Sequence, residues 1–166
     1  MIVALAGRRI DAPDADPPRF PLDRAPAVRA ALLALFRERR ATMLVSSAAC
    51  GADLLALDAA RELGMRLRVI LPFDRATFRE QSVTDRPGDW GPLYDEICDA
   101  AEVVELGLDP KSGQQAYEAT TLRILDEAAL AVAVSDGASR GAEDLTEYFV
   151  RQAQQRGLEV TRISTI

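Results

Sequence analysis

Between an apolar run from Thr42 to Val45 and a helical pattern that starts near Leu54 lies the stretch Ser46-Ser47-Ala48-Ala49-Cys50-Gly51-Ala52-Asp53. Small side chains there let a ligand approach the backbone, and the unpaired N–H groups of a first helical turn favour an anion such as a phosphate. The same residues also describe a plain strand-to-helix connection with Asp53 as a first-turn acid. Related chemistry follows other strand-like runs: Gly7, Arg8 and Arg9 after the first, Pro72, Phe73 and Asp74 after the third, Ser135, Asp136, Gly137 and then Gly141 after the fifth. Together these would line a shallow cleft for phosphate, ribose and base. Taken singly, Arg8 and Arg9 read as solvated or paired with Asp11 or Asp14, and Asp136-Gly137 as an ordinary turn.

What the chain lacks narrows the chemistry. It has no histidine, which removes histidine triads, histidine metal sites and the commonest general base. Catalysis would rest on carboxylates, hydroxyls, a thiol or backbone dipoles, and no metal or cofactor is expected. The net charge of −6 argues against a broad nucleic-acid or membrane-surface interface. Two cysteines, Cys50 and Cys98, are too few for a disulfide framework, and no apolar stretch approaches the roughly 20 residues that span a bilayer. A cytoplasmic setting is the expectation. Cys50 near a helix start has the position of a reactive thiol, but reads better as a small residue filling the turn.

The elements that must position these residues follow from periodicity. Strands are expected at Ile2 to Leu5, Thr42 to Ser46, Leu67 to Leu71, Val103 to Leu106, Leu130 to Val134 and Val160 to Ile163, each apolar nearly throughout and so buried on both faces. Helices are expected at Ala27 to Arg39, Leu54 to Leu63, Pro92 to Ala101, Gln115 to Ala128 and Leu145 to Arg156, with Gly64 and Gly157 as stops. This alternation predicts an α/β fold: one Rossmann-like, doubly wound, mainly parallel sheet of about six strands with helices on both faces. At 166 residues one domain is expected, burying about 70% of its unfolded surface. Asp11 to Pro26 and Asp74 to Gly91 read as loops over the carboxyl edge of the sheet, where such folds bind ligands. Within and beside the second, Phe78 and Trp90 are a candidate lid or a loop anchor, and Tyr117 a candidate base contact or a core residue.

In their order, Ala6-Gly7-Arg8, the turn from Ser46 to Asp53, Val69-Ile70-Leu71-Pro72-Phe73 with Phe78 and Ser82-Val83 behind it, then Tyr117 and Ala131 to Gly137 before Gly141 resemble the SLOG superfamily, over Ile2 to about Tyr148. That group includes LOG-like phosphoribohydrolases, DNA-processing proteins and nucleotide-sensing domains of bacterial conflict and signalling systems. The resemblance implies a domain that binds a nucleotide or a nucleotide-derived signal, cyclic or of ADP-ribose type, at the strand ends, in signalling or antiphage defence. It places Gly7 and Arg8 on the first ligand-facing turn, Ser46, Ser47, Gly51 and Asp53 on the phosphate-proximal turn, and Asp136, Gly137 and Gly141 on the last; Arg9, Ala48, Ala52, Pro72, Phe73, Phe78, Ser82 and Arg140 complete the candidate binding set. LOG-like enzymes carry Pro-Gly-Gly-x-Gly-Thr-x-x-Glu in the last loop, whereas this chain reads Ser139-Arg140-Gly141-Ala142-Glu143-Asp144-Leu145-Thr146-Glu147. Glu143 and Glu147 remain the catalytic candidates, and a sensor is preferred over a hydrolase, with a ligand-free scaffold as the third reading. A homo-oligomer or a fused effector domain would carry the output.

Overall fold

The computed structural model describes residues 1–141 and 144–166. Six strands, β1 (Ile2–Gly7), β2 (Met43–Ser46), β3 (Arg66–Leu71), β4 (Glu102–Glu105), β5 (Leu130–Ser135) and β6 (Glu159–Ser164), form one sheet in the order β4-β3-β2-β1-β5-β6. Every pairing is parallel. The helices are α1 (Ala25–Glu38), α2 (Ala52–Glu62), α3 (Arg75–Ser82), α4 (Trp90–Ala100), α5 (Gln114–Leu125) and α6 (Leu145–Gln155). The chain leaves β1 on one side through β2, β3 and β4, then returns on its other side with β5. Such a reversal of winding leaves a crevice at the carboxyl ends of the central strands.

The alternation of strand side chains divides the core in two. Val3, Leu5, Leu44, Val69, Val132 and Val134 join the cluster of α1, α2 and α4, while Ala4, Met43, Val45, Ile70, Ala131 and Ala133 join that of α5 and α6. Both faces of the central strands are thus covered, which is why they are apolar throughout. The edge strands are less buried than expected: Val103 and Val104 of β4 and Val160 and Ile163 of β6 are only half-buried, and Glu159 and Arg162 of β6 are exposed, as are the two end residues Glu102 and Glu105 of β4, which were expected to be solvated. An edge strand has one neighbour, and charge along it discourages further pairing. Arg68 of β3 reaches Glu102 at 2.8 Å, and Arg39 pairs with Glu159.

The stretch 74–91 also departs from the expected loop. Asp74 caps α3 by accepting the Thr77 N–H at 2.9 Å, and α3 buries only Phe78 and Ser82, one turn apart. Two apolar-side positions in eight residues are too few for a periodic signal. Trp90, half of the candidate lid, opens α4 instead; it is buried and donates from its indole N–H to the Pro87 carbonyl at 2.7 Å. No helix among the described residues is long and apolar enough to cross a membrane.

Gly7 ends β1 where α2 comes closest. A Cβ there would lie 2.5 Å from the Ala52 Cβ and 2.7 Å from the Val134 carbonyl oxygen. Neither neighbour is the free end of a flexible side chain, so one added methyl must push strand and helix apart. Gly7→Ala is expected to cost roughly 1–3 kcal/mol in urea unfolding with an unchanged m value.

Candidate functional site

A cleft of about 380 Å³ opens over the carboxyl ends of β1 and β2. Its floor is Leu5, Ala6 and Gly7, one end is Arg9 with Ser47, Ala49 and Asp53, and the walls come from α3 (Phe78, Gln81, Ser82), α5 (Tyr117, Thr120, Thr121, Ile124) and the start of α6 (Leu145, Thr146). The α5 residues fall at i, i+3, i+4 and i+7, a single helix face, and that face carries hydroxyls among its apolar groups. The Phe78 ring separates the cleft from Tyr94, on which it stacks at 6.2 Å, and Phe73 meets the Tyr117 ring edge-on at 5.8 Å. The Ser82 and Tyr117 hydroxyls lie 3.4 Å apart.

The polar end is built by the turn after β2 and the segment after β1. Arg9 and Gly51 form an isolated antiparallel bridge, in which the Ile10 N–H donates to the Cys50 carbonyl and the Ala52 N–H to the Arg8 carbonyl. Gly51 has φ of +110°, and a Cβ would lie 2.7 Å from the Arg8 carbonyl oxygen and the Ile10 nitrogen. Glycine is therefore required here by the approach of the chain to itself. Two more amides of the turn are committed in the same way: Ala49 N–H donates to the Asp53 carboxylate at 3.2 Å and Cys50 N–H to the Ser82 carbonyl at 3.0 Å.

Three groups at this end carry functional potential. Arg9 pairs with Asp85 and donates to the Cys50 sulfur at 3.5 Å, yet its Nε is buried with no partner among the described residues. The Ser47 hydroxyl is likewise buried and unpartnered. Such groups cost free energy that a ligand hydrogen bond would recover. Asp53 is only 8% exposed. Burial pushes its carboxyl up to about 7, against the pull of the Ala49 amide and the Arg9 charge. Burial also raises the Cys50 thiol despite Arg9 nearby, so this fully buried cysteine fills the turn and is not a poised thiolate.

Arg8 points elsewhere. Its guanidinium grips Asp144 at both carboxylate oxygens, at 2.9 and 2.8 Å, and also donates to the Ala138 carbonyl at 2.6 Å and to Asp136 at 3.4 Å. Asp144 caps α6 as well, accepting the amides of Arg140 at 2.8 Å and of Thr146 and Glu147 at 3.1 Å. Burial by itself would raise the Asp144 carboxyl, but Arg8 and these amides outweigh it and hold it down at about 2. Burial likewise disfavours the charge on Arg8, and its two aspartates more than compensate, raising it above the ordinary arginine value.

Of the residues singled out in the sequence, the cleft is lined by Gly7, Arg9, Ser47, Asp53, Phe78, Ser82 and Tyr117. Ser46, Ala48 and Ala52 are buried beneath it, with the Ser46 hydroxyl donating to the Ser47 carbonyl at 2.7 Å. Pro72 accepts from Leu108 N–H at 2.9 Å, and Phe73 stands behind Tyr117. Asp136 joins Arg8 and Arg19, Gly137 N–H donates to the Ser135 hydroxyl, and Gly141 N–H to that of Ser139. Arg140 is exposed, its charge disfavoured by partial burial and by Arg8 and Arg19. Glu147 pairs with Arg162 at 3.2 Å, and Glu143 lies outside the described residues. Sequence reasoning missed Gln81, Thr120, Thr121, Leu145 and Thr146; the spacing of Tyr117, Thr120, Thr121 and Ile124 was the available signal.

Sheet order and the crevice at the winding reversal define a Rossmann-like α/β protein. Two solved structures share this fold: TM1055, a structural-genomics target (TM-score 0.59, 16% identity, 96% of this chain and 71% of that one), and DNA processing protein A (DprA) from Streptococcus pneumoniae (TM-score 0.64, 19% identity, 96% of this chain and 49% of that one). The chain thus spans about half the length of DprA, and what it shares with both structures is the fold. No protein-family model matches the chain, and no curated protein matches it.

Two outcomes follow from these charges. Asp144→Ala strands the Arg8 guanidinium and uncaps α6, and is expected to cost roughly 3–5 kcal/mol in urea unfolding, with much of the loss recovered when Arg8→Met is added. A carboxyl whose native value lies above its unfolded value binds its proton more tightly when folded. The Asp53 contribution therefore makes the protein less stable as pH rises from about 4 to about 7 and is flat above that, by an amount on the order of 4 kcal/mol at most. Asp53→Asn should remove that slope from a plot of unfolding free energy against pH.

Proposed function

We propose that this protein binds a nucleotide-type small molecule in the cleft over β1 and β2, as a binding or sensing module whose occupancy changes self-association or a partner's activity. One observation carries the reading: the cleft at the winding reversal holds two buried polar groups, Arg9 Nε and the Ser47 hydroxyl, with no partner among the described residues. Phe78 and Tyr117 offer ring surface for a base, and the hydroxyls of α3 and α5 suit a sugar. The shared fold with TM1055 and DprA supports the nucleotide class. A role in signalling or defence, a fused effector and a homo-oligomer belong to the same proposal. The net charge of −6 is the reason to expect a small ligand rather than nucleic acid.

A second reading, hydrolysis of an N-glycosidic bond, draws on Asp53. It is a carboxyl in the cleft with a value of about 7, suited to accept or donate a proton near neutrality. Among the described residues it is the only carboxylate lining the cleft, Glu147 being turned to Arg162.

Thermal unfolding in the presence of a panel of nucleosides and nucleotides tests both. A ligand at 100 times its dissociation constant should add about 2.7 kcal/mol of stability, and Arg9→Met should weaken binding about tenfold or more. Base released from the bound compound, followed by chromatography, would mark the hydrolase. No stabilisation by any member of the panel would leave the scaffold reading.

A further inference from the structure

Resting on the binding role just proposed for this cleft, we infer that its occupant binds together with a proton that Asp53 takes up from water, so that occupancy falls as pH rises. The carboxyl stands in the first turn of α2 and lines the cleft beside Arg9 and Ser47. It is buried without being paired. The Ala49 amide donates to one of its oxygens at 3.2 Å, no described residue donates to the other, and no described arginine forms an ion pair with either. Asp144, the other buried aspartate among the described residues, shows what a settled charge needs in this protein: an arginine on both oxygens and three backbone amides. Asp53 has one amide, so its proton is the group most easily exchanged when the surroundings change.

The groups around Asp53 give the coupling its sign. The segment after β1 brings Arg9, the turn after β2 the buried Cys50 thiol, the segment after α3 brings Asp85 and Arg86, and α5 the Tyr117 phenol; α6 turns Glu147 away to Arg162. Arg9 pairs with Asp85, and Arg86 lies 3.8 Å from the same carboxylate. Two arginines thus stand against Asp85 alone while Asp53 keeps its proton, and against two carboxylates once the proton is lost. Burial already holds that proton up to about 7. An occupant of the cleft removes the water that still reaches a carboxyl only 8% exposed, and desolvation penalises its charged form. A neutral occupant acts through that desolvation and an anionic one adds like-charge repulsion, so both favour the protonated carboxyl. A cation, or an N–H donated to the ionised carboxylate, would reverse the sign; the two arginines oppose the first, and the orphaned Arg9 Nε asks for an acceptor at this end. With the bound value above the free one, affinity is flat below about 7 and weakens as pH rises past it.

The experiment is titration calorimetry of the full chain with adenosine, guanosine, cytidine and uridine and their 5′-monophosphates, at pH 6 and pH 8 and in buffers of different ionisation enthalpy, which reads affinity and protons exchanged together. Any compound that binds is expected to do so about tenfold more weakly at pH 8 than at pH 6, and to draw protons from the buffer at pH 8. Asp53→Asn, checked for folding by circular dichroism, should lose the Asp53 share of both effects, leaving only what a monophosphate's own titration contributes. In the unmodified protein the infrared band of a protonated carboxyl should grow when the compound is added at pH 8, a readout that does not depend on the variant. Affinity independent of pH, proton release on binding, an unchanged carboxyl band, or an uptake that persists undiminished in the folded variant would overturn the proton linkage while leaving a binding cleft in place. Silence from every compound at both pH values would overturn the cleft's binding role together with this inference.

Discussion

The fork of Arg8 on Asp144 is the contact through which the site is assembled. Arg8 leaves the end of β1, its own N–H donating to the Val134 carbonyl at 2.8 Å, and its guanidinium reaches across to the residue that starts α6. One carboxylate thereby joins the central strand, the loop after β5 and the last helix, whose first residues, Leu145 and Thr146, form a wall of the cleft. A pair buried this deeply gains little against an apolar substitute of the same shape, because desolvation offsets attraction. Its value is positional: bidentate geometry and three backbone donors on the same carboxylate leave a single way to seat α6.

The same economy governs the other end of the cleft. The turn from Ser46 to Asp53 looks, by residue type, like an anion cradle, and it is one in which the anion is Asp53. Its carboxylate folds back on Ala49 N–H, and backbone carbonyls of α3 and of the segment after β1 take the neighbouring amides. What stays unsatisfied is a serine hydroxyl and one edge of the Arg9 guanidinium, beside a carboxyl that holds its proton up to about 7. Buried polar groups without partners are rare in folded chains, and their concentration at one end of a concave surface is a stronger pointer to a ligand than glycine spacing is.

The six strands and five of the six helices were legible because each is long or apolar enough for its period to stand out. The exception, α3, is polar save for Phe78, and only docking on Tyr94 and the turn at Cys50 gives it a place. Half-exposed β4 and β6 were read as buried because Val103, Val104, Val160 and Ile163 dominate their short sequences. Sheet order alone decides which strands have a single neighbour.

For the site, the chain's residues by themselves determined an α/β fold with small-residue turns at the strand ends, and hence the rim on which Gly7, Arg9, Ser47, Asp53, Phe78 and Ser82 meet. Periodicity and turn chemistry are local, and local spacing suffices for them. Which of two adjacent arginines faces the cleft, that Asp144 claims Arg8 across 136 positions, and that α5 supplies the opposite wall were decided only by tertiary structure. Those choices turn on burial and pairing between groups far apart in the chain, and a charge declares its partner only when packing has removed the water from around it.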